Sequence, residues 1–302
     1  MSSEHSLRSP QVEPALLSSE KNGAADLREI VVFVDGLTEG AGILEFAGVL
    51  AEEHDAHLIG VFMQPEPTTT QPETFVRGTA IVDVIEAHRE EVEAIEADHR
   101  VLFEDIVRRH GIRAEWRSLP HLSSKVGVHA YYSDLAIVTR PDSSSQTSGP
   151  AGLAESLVLS SGRPVIMFPP RCPVSRVRRI LVGWNARREA IRAVADSLPL
   201  IVRADAVEVL VINHEHHPAD HGQEPGADIA RHLARHGAHV NVRRLSVDGE
   251  DVGRLLLSHA AAFGADLVVM GAYGHSYLSE WMFGSVTRTI VREASLPVLM
   301  SR

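Results

Sequence analysis

The chain has 302 residues, enough for two domains of about 150 each, and its 44% hydrophobic and 23% charged residues are the composition of a globular protein with buried cores. Its 40 acidic residues against 29 basic ones leave a net charge of −11, which argues against nonspecific binding to nucleic acid or acidic lipid. A single cysteine, Cys172, excludes an intrachain disulfide and a Cys-based zinc ribbon. No apolar run reaches the roughly 18 residues of a membrane span, and the opening MSSEHSLRSP lacks the apolar core of a signal peptide. The expectation is a soluble, cytoplasmic protein. Only two of the basic residues are lysines, Lys21 and Lys125, and neither follows a GxxxxG run, so a Walker-type phosphate loop is absent. Any nucleotide must be held by backbone amides, hydroxyls, arginine or metal.

Residues 1–27, rich in Ser, Glu and Pro without sustained period, read as a flexible tail. Beyond them the chain repeats itself. Ile30–Asp35 matches Ile180–Asn185, and Val61 matches Val211, both at an offset of 150. His110–Leu119 matches His236–Leu245 at 126, Asp134–Val138 matches Asp266–Met270 at 132, and Arg163–Phe168 matches Leu296–Ser301 at 133. Matches in one order mean a duplicated unit, and the falling offset puts about 24 extra residues between the second and third strands of the first copy. Within that stretch Glu86–Arg109 reads as a solvated amphipathic helix, with Val92, Ile95 and Val101-Leu102 as its apolar positions.

In the second copy Ile191, Val194, Ala195 and Leu198 share one helical face. Val207–Ile212 reads as a strand, Ile229–His236 as a helix, Val240–Leu245 as an alternating strand and Asp251–Phe263 as a helix. Leu267–Met270 reads as a buried strand, Ser285–Ala294 as a helix and Pro297–Met300 as the last strand. Apolar strands alternating with helices imply a parallel sheet covered on both faces, with ligands at the carboxyl ends of its strands. The two fifth strands, Pro164–Phe168 and Pro297–Met300, are expected to pair antiparallel within the chain, joined by the short linker Pro169–Val177.

The fourth strand of the second copy runs into GAYGHSYLSEWMFGSVTRT, whose glycines follow Gly271-x2-Gly274-x9-Gly284-Ser285. Gly271 ends a strand where a side chain would block close approach, and Gly274 permits a tight turn. Gly284 and Ser285 open a helix, so their amides and the Ser285 and Thr287 hydroxyls face an anion at the positive end of its dipole. Phosphates would be cradled there without a lysine.

On these residues the chain, over about 28–302, resembles the universal stress protein family in its tandem two-domain form. The resemblance implies two Rossmann-like α/β domains of the adenine nucleotide alpha hydrolase-like class, at 28–170 and 176–302. Each would be a five-stranded parallel sheet with helices on both faces, packed as an internal pseudo-dimer. It implies ATP, with Mg, as cofactor of the second domain. Gly183, Trp184 and Asn185 would close strand one, Val211 would lie beside the adenine, and Met270 and Gly271 would end strand four. Gly274, His275, Gly284, Ser285, Val286 and Thr287 would approach the triphosphate. Asn185 stands where the family usually has Asp, keeping an acceptor and losing the charge.

The first copy keeps Asp35 at the strand-one end but has Thr139 and Arg140 where the second has Gly271 and Ala272, and Gly149 and Gly152 lack the spacing. It is expected not to hold a triphosphate in the family manner; a different anion site at Arg140 and Ser143–Ser145 is the alternative. His214, His216, His217, Asp220 and His221 are metal-ligand types without helical spacing, read as a solvated loop with no metal assigned. Trp281, Met282 and Phe283 read as packing, and Cys172 as an incidental thiol. Ser258 and His259 are adjacent on a helix and point apart, so no nucleophile and base emerge. The function expected is nucleotide binding in a stress-response or regulatory role, not catalysis. A nucleotidyl- or phosphoryl-transferring enzyme, or a ligand-free or metal-binding scaffold, are the alternatives.

Overall fold

The computed structural model describes residues 26–36, 40–64, 79–119, 126–140, 153–213, 224–246, 251–272 and 285–302. The first half runs β1 (Glu29–Asp35), α1 (Ala41–His54), β2 (His57–Met63), α2 (Thr79–His110), β3 (Arg113–Leu119), α3 (Val126–Tyr131), β4 (Leu135–Thr139), α4 (Leu153–Ser160) and β5 (Val165–Phe168). The second runs β6 (Arg179–Gly183), α5 (Arg188–Ile201), β7 (Ala206–Ile212), α6 (Ala227–Arg235), β8 (Val240–Leu245), α7 (Val252–Phe263), β9 (Leu267–Gly271), α8 (Ser285–Glu293) and β10 (Val298–Ser301).

The sequence of β1, EIVVFVD, explains its place. A run of β-branched and aromatic residues has no polar face to offer water, so both faces must be covered. Ile30, Val32 and Val34 enter one hydrophobic cluster while Val31 and Phe33 enter the other. The first cluster is closed by α1, α2, α5 and α6, and the second by α4, α7 and α8. Each cluster draws on both halves of the chain, so the two copies share their cores.

All ten strands form one sheet in the order β3-β2-β1-β4-β5-β10-β9-β6-β7-β8. Pairing is parallel inside each half and antiparallel only at the centre, where Val165, Ile166 and Met167 face Met300, Leu299 and Val298. The expected antiparallel union of the fifth strands is therefore present. It also sends the carboxyl ends of the two sets of strands to opposite ends of the sheet. The segment read as a linker is packed: Cys172 and Val177 are buried in the first cluster, and burial pushes the Cys172 thiol up against the opposing pull of the Val174 amide.

The extra residues of the first copy lie almost wholly in one helix, since α2 has 32 residues where α6 has 9. Val92, Phe103 and Ile106 of α2 are buried. Val101, which the pattern placed on the apolar face, is 67% exposed. Among the described residues no helix is long and apolar enough to cross a membrane.

Candidate functional site

In each half the chain leaves the central strand first to one side and later to the other, which creates a crevice at the carboxyl ends of its neighbours. In the second half the strands flanking that point are β9, β6 and β7. Gly183, the last residue of β6, is in register with Leu210 of β7 and with Met270 of β9. Gly183, Val211, Met270 and Gly271, singled out from the sequence, thus stand side by side at one end of the sheet. A side chain at Gly183 would come within 2.9 Å of Leu256.

Past β6, the Trp184 amide donates to the Leu210 carbonyl at 2.9 Å and keeps the chain alongside β7 for one more residue. Asn185 is exposed, and its side-chain oxygen accepts from the Arg187 amide at 3.1 Å, a local turn that starts α5. Ala186 within that turn has φ 57° and Asn213, just past β7, has φ 52°. Two left-handed non-glycine residues at adjacent strand ends are a local cost that the surrounding hydrogen bonds must sustain. Val211 is fully buried, beneath Gly226, where an added carbon would lie 2.9 Å from the Val211 side chain.

Gly271 has a close neighbour within the chain. An added carbon there would lie 2.5 Å from the Ala190 amide nitrogen and 2.5 Å from the Glu189 carbonyl carbon. The glycine therefore admits the first turn of α5 against the end of β9. Beyond it, Ala272 donates its amide to the Ser301 carbonyl at 2.9 Å. Gly274, His275 and Gly284 lie outside the described residues, as do the side chain of Ser285 and the cluster His214, His216, His217, Asp220 and His221. Trp281, Met282 and Phe283, and Ser143–Ser145, lie outside them too. Among the described residues no group of three metal-ligating side chains occurs.

The chain resumes in α8, which begins at Ser285. Val286 packs on the second hydrophobic cluster and Thr287 is buried. Three contacts not foreseen from the sequence clamp this helix to α7. Asp251 caps α7 by accepting from the Gly253 amide at 2.7 Å and the Arg254 amide at 3.2 Å, and it also accepts from the Thr289 hydroxyl at 2.9 Å. Gly253 lets the helices meet, because an added carbon would fall 2.8 Å from Thr289. Arg254 holds Glu293 through two nitrogens, at 3.0 and 2.9 Å. Burial works to raise the Asp251 pKa, but the Thr289 hydroxyl, the two amides and the Arg254 charge outweigh it and hold the carboxyl below its usual range. An aspartate preceding an apolar helical pattern was the readable signal for the cap. Its bond to Thr289, 38 residues on, had none.

In the first half Asp35 is half-buried at the end of β1, opposite Met63 of β2. Thr139 is buried, and among the described residues its hydroxyl finds no partner. His259 adjoins Ser258, but its ring hydrogen-bonds Glu208 of β7.

Residues 177–302 match the model of the Universal stress protein family. No curated protein sequence matches the chain. Among solved structures, a universal stress protein from Archaeoglobus fulgidus DSM 4304 has a TM-score of 0.64 at 16% identity, over 91% of this chain and 98% of that one. A functionally unknown protein from Pseudomonas aeruginosa PAO1 has a TM-score of 0.54 at 16% identity, over 91% of this chain and 92% of that one. At such identities the likeness is one of fold, and it extends over both halves.

Proposed function

We propose, from the match of residues 177–302 to the universal stress protein family, that the second half of the chain binds ATP, with Mg accompanying the triphosphate, in a stress-response or regulatory role. The observation that carries this reading is the register of Gly183 between Leu210 and Met270. It brings three strand ends together where the chain enters the Gly271-x2-Gly274-x9-Gly284-Ser285 run. The residues present fit a nucleotide held without lysine. The first turn of α8 has no acidic side chain, so the positive end of its dipole is left to an anion. Amides from Gly284 to Thr287 and the Ser285 hydroxyl would hold the phosphates, with His275 in the loop beside them. Trp184 and Asn185 would meet the adenosine, with Val211 as the aliphatic residue beside the adenine. Mg with the bound triphosphate would neutralise part of its charge.

The first half serves as the degenerate partner, since its fourth strand ends in Thr139 and Arg140. Binding is favoured over catalysis because Ser258 and His259, adjacent on α7, point to different faces and form no nucleophile and base pair. Calorimetric titration with Mg·ATP should give one site per chain. Gly284→Val, which puts a branched side chain where backbone meets phosphate, should weaken binding at least tenfold, about 1.4 kcal/mol. Two equivalent sites would overturn the assignment of the first half. Wild-type affinity in a folded Gly284→Val protein would remove the glycine motif from the site.

A further inference from the structure

The two copies treat the position after strand four differently. Arg140 donates its amide to the Phe168 carbonyl at 2.8 Å, and Ala272 makes the same bond to the Ser301 carbonyl at 2.9 Å. The backbones are therefore equivalent and the side chains are not. The Arg140 guanidinium crosses the central β5–β10 seam and reaches the last turn of α8, donating through Nη1 to the Val291 carbonyl at 3.4 Å and to the Arg292 carbonyl. Those carbonyls belong to the final turn, where a helix has acceptors to spare and its dipole is negative, so a cation is favoured there.

At the offset of 133 that relates the fourth helices, Val291 and Arg292 correspond to Val158 and Leu159 of α4. Ala272 has no side chain to reach them. A cleft of about 310 Å³ lies at that mirrored place, lined by Val158, Leu159, Gly162, Arg188, Glu189 and Arg302. Among the described residues, the cross-brace from the position after strand four is made by Arg140 and not by Ala272. The copy that lacks the glycine motif holds the helix of the copy that has it.

We propose that Arg140 is a positioning residue for nucleotide binding: it caps the carboxyl end of α8 from the other half of the chain and so holds the amino end of that helix against the phosphates. This rests on the ATP reading above. Helix α8 has only nine residues, so a displacement of its last turn is carried to its first. Within its own half it is anchored by Asp251 at Thr289 and by Arg254 at Glu293. Arg140 adds the one recorded hydrogen-bonded hold on α8 from the first half among the described residues. The loss of a glycine at 139 and the gain of a long cation at 140 then have one consequence. The first half no longer offers a phosphate loop and instead stiffens its neighbour's.

The test compares Mg·ATP and adenosine binding to the full chain, for wild type, Arg140→Ala and Arg140→Lys. Adenosine uses the strand ends but not the amino end of α8. Arg140→Ala should lose about fivefold or more in ATP affinity, keep its adenosine affinity, and exchange the amides of α8 faster in the nucleotide-free protein. Arg140→Lys, which keeps the charge at the helix end, should recover part of the loss. Unchanged ATP affinity in Arg140→Ala, or an equal loss for ATP and adenosine, would overturn the positioning role. A wild type that binds no ATP would overturn the nucleotide reading itself, and this role with it.

Discussion

His54, near the end of α1, is 2% exposed, and its Nδ1 stands 3.7 Å from Asp26. Burial, aided by the Arg203 charge and opposed by Asp26, lowers its pKa from 6.5 to about 4. The unfolded chain therefore binds a proton at a higher pH than the folded one. Stability from this residue is complete above pH 6.5 and is lost as the pH falls toward 4, by about 3 kcal/mol at most. Urea unfolding at pH 7 and pH 4.5 should show that drop in wild type and a smaller one in His54→Leu, whose slope lacks the imidazole. Equal drops would mean His54 is solvated. Nothing in the sequence marked this histidine, because its environment comes from Asp26 and Arg203, which lie far from it along the chain. Gly271 is the converse case. It was singled out for a close approach, and within the chain the backbone of Glu189 and Ala190 makes one. Spacing announces that room is needed without saying for what.

At the scale of elements, the inner strands were legible because an apolar run of four to seven residues has one accommodation in an α/β chain, the outer strands β3 and β8 because they alternate, and each pattern occurs twice. The change of offset also announced the insertion. It did not say that the insertion would extend a single helix, nor which face of that helix would be buried. Heavily charged sequence such as EEVEAIEADHR leaves the apolar stripe narrow, so its phase is easily misread. In the fold the stripe runs through Val92, Phe103 and Ile106, and Gly48 of α1 makes way for it: an added carbon there would lie 2.5 Å from Ile106. Ile106→Ala should cost about 2–4 kcal/mol, the usual penalty for emptying a tightly packed site. Val101→Ala on the same helix should stay within about 0.5 kcal/mol. Denaturant titration of the two variants checks the phase, and comparable losses would put Val101 back on the buried face.

The whole molecule is organised by the central antiparallel pair, and duplication makes that pair nearly inevitable. A copy that ends in an apolar strand such as Val298–Ser301 presents an unpaired edge, and the cheapest partner is the same strand of the other copy, tethered at an effective concentration in the millimolar range. Short prolines in the linker and the burial of Cys172 and Val177 leave it little slack. Ion pairs across the halves then add register, with Arg178 3.2 Å from Glu53 and Arg203 against Asp26. What the duplication could not reveal is asymmetry in side chains that cross the seam, such as Arg140, because aligning one copy with the other compares equivalents and not contacts. Residues 176–302 expressed alone would lack β5 and expose the β10 edge. They should dimerise at tens of micromolar by pairing β10 with its own copy, antiparallel as in the intact chain, since the register of Val298, Leu299 and Met300 needs no residue unique to the first half. Sedimentation velocity should show the dimer, and Met300→Pro, which removes a donor from the edge that meets Val165 of β5 in the intact chain, should weaken it. A fragment that remains monomeric with its last strand unprotected from hydrogen exchange would mean that the linker and the ion pairs, and not the strands, hold the two halves together.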